Sequence, residues 1–198
     1  LINYLIDNNK LNFPLSKHIE LFISKNYKDA EKLYKYLLFR LKFYITGSQK
    51  VNIGYPPYLL LEPVSACNLR CPFCYQSDKS FTRKPFMGVM DFELFKKIID
   101  DANDIGVGAI TLASRGEPTM HKKFIDMLDY LNKKENIFEV KLNTNGSFLT
   151  NDMCHGIFKN NLTQIVISAD HYIKEDYERL RKGSNFEKIT KNVDMLFN

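Results

Sequence analysis

The amino-acid sequence predicts an α/β fold in which parallel strands alternate with helices. Short apolar runs recur at 58–61, 109–113, 138–142 and 164–168, each too brief for a typical helix and rich in residues suited to buried strands. Helical periods lie between them. Asp91 can cap a helix over 92–105 that Gly106 ends, and helices over 122–134 and 151–159 follow the next two strands. Ser184 or Asn185 can open a last helix running through Phe197. Four such units in series imply a parallel sheet with right-handed crossovers, and place the loops after the strands on one rim.

The segment before the first strand has a different character. Residues 1–50 hold nine Lys and Arg against four Asp and Glu, whereas residues 51–198 hold nineteen of each. The neutral body argues against a nucleic-acid groove. Within 27–45, Ala30, Leu33, Tyr34, Leu37, Leu38, Leu41, Tyr44 and Ile45 recur at helical spacing, with Lys28, Lys32, Lys35 and Lys42 on another face. That pattern suits a peripheral contact with a membrane surface or partner, or an extension packed on the body with a solvated lysine face. Residues 46–50 and 54–57 read as a helix stop and a linker. The expected division is a basic helical extension over 1–50 and a core over 51–198.

Only four cysteines occur, and three lie within "CNLRCPFC": Cys67, Cys71 and Cys74. With no secretory signal or apolar run of spanning length to be seen, a reducing cytoplasm is the expected compartment. There, clustered thiols mean metal or catalysis. A structural zinc site needs four ligands, and the fourth would be Cys154 or His121, from loops after other strands. Taken alone, His121 suits a helix start and Cys154 a small buried thiol. Three thiolates can instead hold three irons of a cubane cluster and leave the fourth iron open. The other unusual stretches also follow strands: Ser114-Arg115-Gly116-Glu117-Pro118, Asn143-Thr144-Asn145-Gly146 and Ser168-Ala169-Asp170.

The C-x3-C-x-aromatic-C pattern of "CNLRCPFC", followed in order by "ASRGEPT", "KLNTNG" and "VISAD", resembles the radical S-adenosylmethionine (radical SAM) superfamily over roughly residues 55 to 198. The resemblance implies a TIM-like barrel of six strand and helix units, of which this chain holds the first four. It implies a [4Fe-4S] cluster on Cys67, Cys71 and Cys74, with S-adenosylmethionine chelating the open iron. Reductive cleavage then yields a 5'-deoxyadenosyl radical that takes hydrogen from a substrate. Glu117 and the Gly116 backbone would accept hydrogen bonds from the amino group of S-adenosylmethionine. Phe73 and Tyr75 would bracket its adenine. Ser168 and Asp170 would bind ribose hydroxyls, Asn143 or Thr144 the ribose or methionine end, and Arg181 the carboxylate. Arg115 stands where the family often has glycine, and as a cation at the rim it suggests a carboxylate-bearing substrate.

The leader together with "PPYLLLEPVSACNLRCPFCYQ" resembles the branch whose members carry a cysteine-rich SPASM extension, which holds auxiliary clusters. No cysteine follows Cys154, and the chain ends after the fourth helix, so it reads as a fragment. The branch implies peptide or protein maturation, or modification in natural-product or polysaccharide pathways, with an electron donor such as flavodoxin or ferredoxin. A structural zinc module and a radical SAM enzyme acting on RNA are the alternatives.

Overall fold

The computed structural model describes residues 16–196, with Tyr27 and Asn161 excepted. Strands β1 (Tyr58–Leu61), β2 (Ala109–Leu112), β3 (Glu139–Thr144) and β4 (Gln164–Ile167) form one sheet in chain order, every pairing parallel. Leu61, Leu112, Leu142 and Ile165 stand in register across it. That row belongs to the main core, where α3 (Phe92–Ile105), α4 (Phe124–Leu131) and α5 (Asn151–Lys159) bury Phe95, Ile99, Met127, Leu128 and Ile157 against the strands. The four strands follow one another as expected, with the expected helices between them.

Capping follows the sequence closely. Asp91 accepts from the amides of Glu93 and Leu94, and Gly106 ends α3 at φ 88°. Thr150 caps α5. Asn185, rather than Ser184, caps α7 (Phe186–Asp194), which ends in a turn at 195–196, short of the expected Phe197, a residue outside those described. Helix α4 is shorter than the expected 122–134, because turns centred on His121 and after Leu131 take the flanking residues. Helix α6 (Lys174–Leu180) was not foreseen in the sequence. It is short and highly charged, and Tyr177 is its one buried residue.

The front segment departs most from expectation. It forms two helices, α1 (Lys17–Asn26) and α2 (Ala30–Ser48), the second capped by Asp29, so the single helix expected over 27–45 is corrected. Tyr27 lies outside the described residues, and α2 continues past the expected stop at 46 as far as Ser48. Its buried side is also rotated: Tyr36, Phe39, Leu41 and Ile45 are buried, while Tyr34 is 63% exposed. The reason is the surface it meets. Tyr36 stacks on Phe22 at 3.7 Å between ring centroids, and Tyr36 and Phe39 both pack on Phe138. At Gly108 a Cβ would stand 2.1 Å from the Phe39 ring, so only glycine admits that close approach.

A polar clamp secures the same contact. Glu139, at the start of β3, accepts from the Tyr36 hydroxyl at 2.7 Å and pairs with Arg40 at 3.2 Å, with His18 Nε2 at 3.5 Å. Burial pushes the Tyr36 phenol well above its ordinary range, and Glu139 adds to the shift. The buried side of α2, with Tyr36 and Phe39, therefore rests on this chain's own sheet, as a packed extension does. Among the described residues no helix is long and apolar enough to cross a membrane.

Candidate active site at the carboxyl rim of the sheet

Beyond β1 the chain enters the cysteine loop. Cys71 is buried and Cys67 and Cys74 are half-buried, all three as free thiols. The Cys74 amide closes a turn on the Cys71 carbonyl at 3.0 Å. Arg70 braces the loop from within, donating to the carbonyls of Cys67 and Leu69 at 2.6 and 2.7 Å. Its own amide bonds the Lys182 carbonyl at 2.8 Å, tying the loop to the end of α6. After the cysteines the chain folds back antiparallel beside 63–65, with a bridge between Val64 and Val89.

Hydrogen-bond donors from several segments reach the sulfurs. The Leu69 amide lies 3.4 Å from Cys67 Sγ and Asn145 Nδ2 lies 3.7 Å from the same atom. Arg181 Nη1 lies 3.9 Å from Cys71 Sγ. Burial pushes both thiols up, the Leu69 amide drawing Cys67 back and Arg181 drawing Cys71 back. Donors of this kind favour the thiolate, the form that binds metal.

The loop after β2 meets the cysteine loop at Gly116. A Cβ there would lie 1.8 Å from the Val64 carbonyl oxygen and 2.7 Å from that of Ala66, so close backbone contact requires glycine. The next amide, of Glu117, bonds the Ala66 carbonyl at 2.9 Å. The Glu117 carboxylate is 2% exposed and turns inward. It accepts from the Thr119 hydroxyl at 2.5 Å, the Thr144 hydroxyl at 2.6 Å and the Asn145 amide at 2.7 Å. Glu117 and Thr144, both expected at the S-adenosylmethionine site, are thus bonded to each other inside the protein. A buried carboxylate must find donors inside the protein, and Thr144, itself 1% exposed, supplies one.

Arg115 also differs from expectation. Its guanidinium forks onto Glu62, with Nε 2.9 Å from one carboxylate oxygen and Nη2 2.7 Å from the other, and its amide donates to the same carboxylate at 2.9 Å. Burial works to raise the Glu62 carboxyl, yet Arg115 and Ser65 outweigh it and hold the group down at about 2. A cation so neutralised does not mark a carboxylate-bearing substrate. The pair instead pins a strained turn: Ser114 adopts φ 103°, a conformation that costs a side-chain-bearing residue roughly 1–3 kcal/mol.

At the far side of the rim, Arg181 Nε donates to Asp170 and the guanidinium lies 5.3 Å from the centroid of the Phe73 ring. The two residues expected to bind opposite ends of S-adenosylmethionine are thus paired with each other. Phe73 and Tyr75 are 58% and 49% exposed, Phe73 with the Arg181 guanidinium over its ring and Tyr75 in edge contact with Phe81. Ser168 is half-buried, its amide donating to the Thr144 carbonyl at 2.8 Å. Asn143 Oδ1 is buried with no hydrogen-bond partner.

Neither candidate for a fourth zinc ligand is available. His121 Nε2 faces the Met90 carbonyl at 2.9 Å and its Nδ1 accepts from the Lys123 amide at 3.0 Å, while Cys154 sits inside the main core. Among the described residues no three His, Cys, Asp or Glu side chains are gathered as one metal ion requires. A cluster binds each thiolate through a different iron and needs no such convergence.

Contributors that went unnoticed in the sequence include Glu62, Asn68, Gln76 and Ser147. Gln76, 4% exposed, donates to the carbonyls of Ser65 and Arg115. Asn68 donates to Ser147 Oγ at 3.0 Å. Only their nearness to the cysteines could have flagged Glu62, Asn68 and Gln76, and Ser147 carried no signal. A cavity of about 670 Å³ lies elsewhere, lined by α1, α2, the end of α4 and the start of β3.

Comparison with known proteins matches this geometry. The Radical SAM superfamily profile covers residues 61–198. The tungsten-containing aldehyde ferredoxin oxidoreductase cofactor-modifying protein of Pyrococcus furiosus is 35% identical over 114 residues, 57% of this chain and 30% of that protein. A GTP 3',8-cyclase of Desulforamulus reducens is 24% identical over 136 residues, 69% of this chain and 41% of that protein. The chain spans less than half the length of these curated relatives. Among solved structures, anSMEcpe with bound AdoMet gives a TM-score of 0.60 at 24% identity, over 71% of this chain and 40% of that one. BtrN in complex with AdoMet and 2-DOIA gives 0.52 at 20% identity, over 68% and 55%. The superfamily's cofactors are S-adenosylmethionine and a [4Fe-4S] cluster. On its sequence order, its parallel sheet and the profile match over 61–198, this chain belongs to the radical SAM superfamily.

Proposed function

We propose that this chain is the cofactor-holding part of a radical SAM enzyme, with Cys67, Cys71 and Cys74 ligating a [4Fe-4S] cluster and S-adenosylmethionine bound at its open iron. The observation that carries this reading is the set of three thiols on one rim loop with donors from Leu69, Asn145 and Arg181 directed at their sulfurs. When bound, the cluster supplies one electron to the sulfonium, and the carbon radical released takes hydrogen from a substrate.

The remaining residues take supporting roles. Phe73 and Tyr75 offer faces to adenine. The unpartnered Asn143 Oδ1 is an acceptor suited to a ribose hydroxyl or the amino group, as a polar ligand at this rim requires. Ser168 and Asp170 serve the ribose and Arg181 the carboxylate, once the Asp170–Arg181 pair opens. Gly116, Glu117 and Thr144 act indirectly, by fixing the loops. The electron comes from a reducing partner such as flavodoxin or ferredoxin, the setting is cytoplasmic, and the substrate belongs to peptide maturation or to a natural-product or polysaccharide pathway. Residues 1–50 form the extension and 51–198 the core, within the SPASM-associated branch.

Anaerobic reconstitution tests the reading. Iron and sulfide should bind stoichiometrically, and dithionite should drive release of 5'-deoxyadenosine. Cys67→Ser, Cys71→Ser and Cys74→Ser should each abolish both, while Cys154→Ser retains them. Zinc without sulfide, or full iron loading in the triple serine variant, would overturn it.

A further inference from the structure

Asn145 is held on every side. It is 5% exposed, its amide donates to Glu117, and its Oδ1 accepts from the Ser147 amide at 2.9 Å. Its side-chain amide has two hydrogens. One serves Asn68 Oδ1 at 2.9 Å, and the nitrogen lies 3.7 Å from Cys67 Sγ, within reach of the other. Asn68 in turn donates to Ser147, closing a ring of side chains between the loops after β1 and β3. In a turn built only for its backbone, an Asn-Gly pair needs no such ring.

We infer that Asn145 is a positioning residue that sets the reduction potential of the cluster by donating a hydrogen bond to the sulfur of Cys67. The inference rests on the cluster assignment above. A donor to a ligating sulfur withdraws electron density and stabilises the reduced cluster, which carries one more negative charge, so it raises the potential. The asparagine amide does this without adding charge. Cys67 then has two such donors, Asn145 and the Leu69 amide, and Cys71 has Arg181.

The test is a redox titration of the reconstituted full-length protein, followed by electron paramagnetic resonance. Asn145→Asp keeps the acceptor that closes the turn on Ser147 but replaces the donor with a negative group; Asn145→Leu removes both. The midpoint potential should fall in both variants, further in Asn145→Asp. Ser147→Ala, which loosens the ring but leaves the donor, should match the parent. Unchanged potentials in the Asn145 variants, or an equal fall in Ser147→Ala, overturn the inference. If the variants do not take up iron, the parent decides: with ¹⁵N in its asparagine side chains, the reduced cluster should show a nitrogen hyperfine coupling, and its absence overturns the inference. A parent that binds no iron-sulfur cluster defeats the cluster assignment itself, and this inference with it.

Discussion

The Thr144 hydroxyl donates to the Glu117 carboxylate at 2.6 Å, joining the loops after β2 and β3 in a region closed to water. Glu117→Ala would leave the Thr119, Thr144 and Asn145 donors without their acceptor. Unpaired buried donors cost about 1–3 kcal/mol each, so a loss of roughly 3 kcal/mol or more is expected in urea denaturation. Glu117→Gln should lose less. Parent-like stability in Glu117→Ala would contradict the inward role.

The Glu62–Arg115 pair predicts a limb in the acid stability curve. The folded Glu62 carboxyl is held at about 2, below its ordinary value of 4.5, so its contribution is complete above that ordinary value and is lost as pH falls towards 2. The full shift corresponds to roughly 3 kcal/mol, and solvent screening of this partly exposed pair brings the expected size to about 2 kcal/mol. Glu62→Gln should flatten the curve between those limits and lower stability at neutral pH, whereas an unchanged acid limb would show that the pair contributes nothing.

Gly116→Ala places a methyl group against backbone that cannot move cheaply, 1.8 Å from the Val64 carbonyl oxygen. The expected outcome is poor soluble yield, or a folded protein whose displaced cysteine loop takes up less iron. Full yield with full iron uptake would show that the loop relaxes freely.

The Glu139 clamp predicts graded effects at the other end of the sheet. Tyr36→Phe removes one hydrogen bond and should cost about 1 kcal/mol. Glu139→Ala also strips Arg40 of its counter-ion, both side chains being about 15% exposed, and should cost roughly 3 kcal/mol. Thermal melts of the two variants give the comparison, and equal melting temperatures would contradict the clamp.

Much of this architecture was visible in the residues themselves. The apolar runs of the strands follow from burial within the sheet, the helix periods from burial on one face, and the caps at Asp91 and Asn185 from local hydrogen bonding. The cysteine spacing announced its chemistry because few sites need three thiols on one loop. Side-chain partnership was less legible. Arg115 and Glu62 are 53 residues apart and meet only because β1 and β2 are neighbours in register. The inward partners of Glu117, on Thr119, Thr144 and Asn145, could not be read from sequence, which does not say which way a carboxylate turns. Tyr36 and Phe39 lay off the aliphatic stripe, and their burial depends on Phe138 and the missing side chain of Gly108.

The most direct measurement is electron paramagnetic resonance of the anaerobically reconstituted, dithionite-reduced protein, recorded with and without S-adenosylmethionine. Ligation of three irons by Cys67, Cys71 and Cys74 predicts a reduced-cluster signal that changes when S-adenosylmethionine reaches the open iron. Well-folded protein that shows no such signal and holds zinc instead, or a signal indifferent to S-adenosylmethionine, would contradict it.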